Sequence, residues 1–153
     1  MKVSTSFQEY SVDDIVNAAR KSEERGYDIF FSSETGHNPY LPLVLAAEHT
    51  EEIELQTSIA LSFSRSPMDT AYIAWDLQNL SKGRFTLGLG SQVRGHIVRR
   101  FSMPWSAPVP RMREYVMALK HIWDCWQNGT KLNFAGDYYS FNLIFYLTMH
   151  FFC

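Results

Sequence analysis

Cysteine is nearly missing. The two present, Cys125 and Cys153, are far apart and show no metal-ligand spacing, so no metal site is expected. A reduced, cytoplasmic compartment is the natural setting. Neither sign of charge dominates: 14 Lys and Arg stand against 16 Asp and Glu, net −2 at pH 7. The two signs are interspersed, which argues against nucleic acid or an anionic membrane as partner. The N-terminal stretch MKVSTSFQEYS lacks the apolar core of a signal peptide. The final run LIFYLTMHFFC is strongly apolar, but its 11 residues fall short of the ~20 that span a bilayer. A third glycine is missing as well. In RFTLGLGSQVRGHI, Gly88 and Gly90 follow a strand-like run, yet Val93 stands where a dinucleotide-binding loop needs its last glycine. What is present is ordinary: 46% hydrophobic and 20% charged residues in 153, enough for one domain with a real core.

Apolar periodicity and punctuation alternate along the chain. Residues 2–7 read as a short strand. Ser11 caps a helix, with Asp14 at the acid position of a capping box and Val12, Ile15, Val16 and Ala19 at helical spacing up to Gly26. YDIFFSS (27–33) is a second strand, apolar on both faces as parallel strands tend to be. Pro42 sits in the first turn of a short helix ending at Thr50. IELQTSIAL (53–61) is a third strand. Ser66-Pro67 opens a helix with Met68, Ala71, Tyr72 and Trp75 on one side, and RFTLGLG (84–90) is the fourth strand. After the proline-rich piece FSMPWSAPVP comes a long amphipathic helix carrying Met112, Tyr115, Val116, Leu119, Ile122, Trp123 and Trp126 on one stripe. That stripe is core packing. LNFAGDYYSF (132–141) reads as a small hairpin around Ala135, Gly136 and Asp137.

Strand starts near residues 3, 28, 53 and 84 give βα units of about 25 to 31 residues, close to the roughly 30 per unit of an eightfold barrel. Four such units are visible. An open, flavodoxin-like doubly wound sheet fits the same count, and periodicity does not separate the two.

The stretch RSPMDTAYIAWDLQNLSKGRFTLGLGSQVRGHIVRRFSMPW, followed by PRMREYVMALKHIWDCWQNG and the F-x-G-x-Y-Y hairpin, resembles the N-terminal half of the luciferase-like monooxygenase family. Within it, the branch using the deazaflavin coenzyme F-420 is the nearest likeness. The resemblance implies the first four βα units of a (β/α)8 TIM barrel over residues 1–143. The remaining 144–153 read as a divergent apolar tail, a truncation or an altered frame. It also implies an oxidoreductase acting on paired donors, by hydride transfer or monooxygenation of a small organic substrate. The cofactor would be F-420, or alternatively FMN. The rival expectation is an inactive half barrel that self-associates as a homodimer, since unpaired edges invite pairing.

Such barrels carry their active sites at the C-terminal strand ends, and the resemblance implies candidates there. Glu34, after the second strand, stands where the family often has an acid near cofactor or substrate. It is expected as a proton donor or acceptor, or else as a loop residue capping the next helix. Its neighbour is Thr35 where many deazaflavin enzymes have a histidine; His37, two residues on, is the substitute candidate or a solvated loop residue. A non-prolyl cis peptide backing the ring is implied at Ser58–Ile59, flanked by Ala60. Arg65, just beyond, reads as a surface or capping arginine. Gly88 and Gly90 would let strand four end close against a flat ring, with Ser91 and Gln92 hydrogen-bonding its polar edge. His96 would face the same pocket or be satisfied structurally. Val93 replaces the catalytic glutamate of some relatives. Arg94, Arg99 and Arg100 suit an anionic group or form a solvated face. No phosphate-cradling loop is visible; with each such charge-assisted bond worth about 1.5–3 kcal/mol, weak or absent cofactor binding is the expectation.

Overall fold

The computed structural model describes residues 1–144. The expected tail therefore lies, from residue 145 on, outside the described residues. Four parallel strands make the main sheet: β1 (Ser4–Thr5), β2 (Ile29–Ser32), β3 (Glu54–Thr57) and β5 (Phe85–Thr86), in that spatial order. Each strand lies beside its neighbour in sequence, with Ser4 opposite Ile29, Ile29 opposite Glu54 and Leu55 opposite Phe85. A flavodoxin-like sheet would reverse direction after its first strand. This one does not, so the barrel order holds.

Two expected strands are each split. Residues 53–61 form β3 and then β4 (Ala60–Leu61), while 84–90 form β5 and then β6 (Leu89–Gly90). The outer pieces pair with each other, Ala60 opposite Leu89 and Leu61 opposite Gly90. The break is built by Thr57: its Oγ1 donates to Gly88 O at 2.9 Å and accepts from Gly88 N at 2.8 Å, replacing the ladder bonds there. A β-branched residue in an alternating run looks like any strand position, so the split leaves no mark in the sequence pattern.

The helices follow their caps. α1 (Val12–Glu24) starts at Ser11, whose side chain accepts from Asp14 N. Asp14 departs from the capping box; it reaches back past Ser11 to accept from Gln8 N and Glu9 N at 3.1 and 2.8 Å. α2 (Leu41–His49) has Pro42 in its first turn. A 3-10 turn (Ser62–Ser64) leads to α3 (Pro67–Leu80), capped by Ser66. α4 (Arg94–Arg99) and α5 (Pro108–Asn128) follow, then the hairpin of β7 (Phe134–Ala135) and β8 (Ser140–Phe141). Gly129 ends α5 at φ +66°, the left-handed conformation glycine adopts at little cost.

One apolar core lies between sheet and helices, with Phe30, Leu55 and Phe85 meeting Ala19, Leu43, Ala46, Ala74 and Leu77. A second joins α3 to α5 through Ala71, Tyr115, Leu119, Ile122 and Trp126, with Tyr72 and Trp75 packed on it. The helix stripe is core, as its spacing requires. Arg111 is a buried exception: its guanidinium stacks on Phe63 at 4.3 Å and donates to Tyr139 Oη and Pro104 O.

Candidate functional site

Because the four strands are parallel, their C-terminal ends open on the same side of the sheet. The centre of that side is the turn between β3 and β4, Ser58 and Ile59. The peptide bond joining them is cis, at the position the resemblance indicated. The turn is held on both flanks. Ser58 N donates to Ser32 O at 2.8 Å, Ser33 Oγ donates to Ser58 O at 2.7 Å, and Glu34 N donates to Ile59 O at 3.1 Å. On the other side Ala60 N donates to Gly88 O at 2.8 Å. Ser58 is exposed, and Ile59, at 37% exposure, presents an apolar side chain to solvent at the mouth of the sheet.

Both glycines are closely approached by the neighbouring segment. A Cβ at Gly88 would sit 2.0 Å from Thr57 O, and one at Gly90 would sit 2.6 Å from Ile59 Cδ1. The missing side chains make room for the neighbouring strand and for Ile59. Ala60 is fully buried in the core. Ser91 is half-exposed next to Ile59's partner strand. Gln92, with φ +59°, turns its Oε1 back to accept from Val93 N at 2.9 Å.

Glu34 departs from the helix-cap expectation. The N-cap of α2 is Tyr40, whose backbone N donates to Asn38 Oδ1. The Glu34 side chain is 4% exposed and forms a two-pronged ion pair with Arg65, Nη1 to Oε2 at 2.7 Å and Nη2 to Oε1 at 2.8 Å. Leu61 N also donates to Oε2 at 2.8 Å. Arg65, expected at the surface, has a side chain only 15% exposed. Burial alone would lower its pKa, but the hydrogen bonds and charge of Glu34 outweigh that and hold it above its ordinary value. The guanidinium lies 5.4 Å from the Tyr40 ring centroid. Burial pushes the Tyr40 phenol up to about 12, against the opposing charge of Arg65. No local spacing foretells the pair, since its members lie 31 residues apart.

His37 is exposed at the rim and stacks on Tyr10, centroids 3.9 Å apart and planes 13° from parallel. Together they wall a cleft of about 310 Å³ that also takes in Ser6, Gln8, Ser33 and Thr35. His96 is exposed on α4. The basic cluster is divided: Arg94 and Arg99 are exposed, whereas Arg100 Nη2 donates to Thr35 O at 2.6 Å and ties α4 to the loop after β2. The strand ends thus gather Ser33, Ser58, Ile59 and Ser91 around an apolar platform with a hydroxyl edge. His37 stands at the rim, and Glu34 is held in the interior. Among the described residues no cluster of His, Cys, Asp and Glu could hold a metal ion, and no helix is long and apolar enough to cross a membrane.

Known proteins place this geometry. The family model of luciferase-like monooxygenases matches residues 2–149. An uncharacterized protein of Mycobacterium tuberculosis is 53% identical over 128 residues, which are 84% of this chain and 38% of that protein. Two solved structures share the fold. The FMN-bound oxygenating constituent of 3,6-diketocamphane monooxygenase from Pseudomonas putida superimposes with a TM-score of 0.77 at 19% identity, over 92% of this chain and 44% of its own. The coenzyme F-420-dependent tetrahydromethanopterin reductase from Methanopyrus kandleri gives 0.72 at 18%, with the same coverage of 92% and 44%. The chain therefore spans less than half the length of these relatives, as part of a TIM-barrel architecture. It belongs to the luciferase-like monooxygenase family.

Proposed function

We propose that this luciferase-like monooxygenase family member contributes the strand-end half of a cytoplasmic (deaza)flavin-dependent oxidoreductase acting on a small organic substrate. The observation that carries this reading is the exposed Ile59 platform at the C-terminal strand ends, bordered by the hydroxyls of Ser58 and Ser91. A flat heteroaromatic ring has apolar faces and polar edges, so an aliphatic side chain beneath it and hydroxyls around it match its chemistry. Gly90 keeps Ile59 in place by offering it the volume of a side chain. Bound there, such a cofactor supplies either hydride transfer, as F-420, or reaction with oxygen, as FMN. F-420 is the preferred reading on the sequence likeness.

The chain's own residues orient and shuttle. His37, exposed beside the cleft and stacked on Tyr10, is the group placed to accept or return a substrate proton. Ser33 and Ser58 hold the platform's backbone. The alternative is an inactive half barrel that pairs with a second copy. It draws on the end strands β1 and β5, each of which pairs on one side only among the described residues. Titration of the purified chain with F-420 and with FMN, followed by cofactor fluorescence alongside sizing chromatography, separates the two. Saturable binding of either cofactor supports the first reading. A folded dimer that binds neither supports the second.

A further inference from the structure

We propose that Glu34 and Arg65 are a positioning pair that fixes residues 58–61 at the strand ends, and that Glu34 is not a proton-transfer group. The inference rests on the reading of this end as the ring's platform. It is drawn from where the carboxylate's bonds go. Oε1 accepts from Arg65 Nη2, while Oε2 accepts from both Arg65 Nη1 and Leu61 N. The same residue's backbone N donates to Ile59 O. One residue therefore grips the chain on both sides of Ala60, by its main chain at Ile59 and by its side chain at Leu61. Ser33, immediately before it, adds a third point at Ser58 O.

Arg65 closes the loop from the far side. Its Nη1 also reaches Leu61 O at 3.3 Å and Ser64 Oγ at 3.2 Å. The fork of the guanidinium thus spans Glu34 and the start of the 3-10 turn, and its planar, two-donor geometry is one lysine does not reproduce. A general acid or base has to come within hydrogen-bond reach of a reacting atom. Glu34, with a 4% exposed side chain and both oxygens engaged, faces its own protein instead. Removing one partner of such a buried pair leaves the other uncompensated, so its loss acts first on the segment it holds.

The test reads that segment directly. Amide hydrogen exchange is measured residue by residue in the wild-type chain and in Glu34→Gln. Arg65→Lys, which keeps the charge and loses the fork, serves as second variant and decides the matter if Glu34→Gln does not fold. FMN and F-420 titrations run on the same samples. The expected result is exchange at Leu61 at least tenfold faster in either variant, with Ile53 and Leu55 unchanged, and cofactor affinity weakened at least tenfold. Unchanged exchange at Leu61 overturns the proposal. So does acceleration of equal size throughout the sheet, which marks a general loss of stability. If the wild-type chain binds neither cofactor, the functional reading falls alone, and the exchange pattern still decides whether the pair holds the segment.

Discussion

The two ends of the sheet use charge in opposite ways. At the N-terminal end, Arg84 donates five hydrogen bonds, to Ser81 O, Thr50 Oγ1, Ile53 O, Ala47 O and Thr50 O, all between 2.8 and 3.1 Å. Glu23 accepts from three successive backbone amides, Glu51, Glu52 and Ile53, at 2.9, 2.7 and 2.9 Å. Those groups bind α1, α2, β3 and β5 to one another. At the C-terminal end one ion pair, Glu34–Arg65, is turned inward, while Ser58, Ile59, His37 and His96 are left at the surface. An end where Arg84 and Glu23 spend their hydrogen bonds on the backbone has stability as its work. An end that leaves a platform and a histidine in solvent has something else to bind.

Substitutions sharpen that contrast, and the largest effect is expected at Arg84. Arg84→Ala removes five bonds and leaves buried carbonyls unpaired, a loss of about 3 kcal/mol. For a chain of this size that lowers the melting temperature by about 10 °C, which a thermal melt followed by circular dichroism measures. If cofactor binding per folded molecule falls as well, the two ends are coupled and the contrast breaks.

Glu23→Gln comes next, with about 1–2 kcal/mol of lost stability from weaker acceptance of three amides. Burial on its own would raise the Glu23 pKa, but the three amides and Arg84 hold it below the ordinary 4.5. A carboxylate so lowered contributes stability above about pH 4.5 that is lost as pH falls through its folded value. Acid unfolding of the wild type should therefore steepen below pH 4.5, and the Glu23→Gln variant should lose that part of the slope.

At the alkaline limit Tyr40 is one of the buried tyrosines that contribute. Burial raises its pKa to about 12, so the folded state keeps its proton where an unfolded tyrosine, near 10, gives it up. The contribution is complete below pH 10 and is lost as pH rises toward 12. Denaturant melts at pH 9 and 11 should show that decline, reduced in Tyr40→Phe. The smallest effect on stability is expected at His37→Ala, within about 2 °C of the wild-type melting temperature because the side chain is exposed. Its effect should appear instead in ligand binding at the cleft. A large drop in melting temperature would make His37 structural.

Much of the fold could be read from residues alone, for physical reasons. Ser11 and Ser66 are caps because their hydroxyls satisfy orphan amides, and Pro67 fits the first helical turn. The apolar stripe on α5 had to find a partner, and α3 supplied it. What stayed hidden depends on contacts between distant residues. The split of 53–61 and 84–90 arises from Thr57 bonding Gly88, and the same meeting leaves no room for a side chain at Gly88. Arg65 looked like a surface or capping residue because its acid lies 31 residues away, in the loop after β2. At the site, Ser58, Ile59, Ser91 and His37 stand at the expected end, while Ala60 and Gln92 are occupied by the protein itself.

The most direct test is a backbone amide NMR titration of the chain with FMN and, separately, with F-420. Chemical-shift changes confined to residues around Ser33, Ser58, Ile59 and Ser91, with those around Arg84 and Ile53 unmoved, are what a cofactor platform at the strand ends predicts. Shifts centred on the Arg84 end, or none with either cofactor, would contradict it.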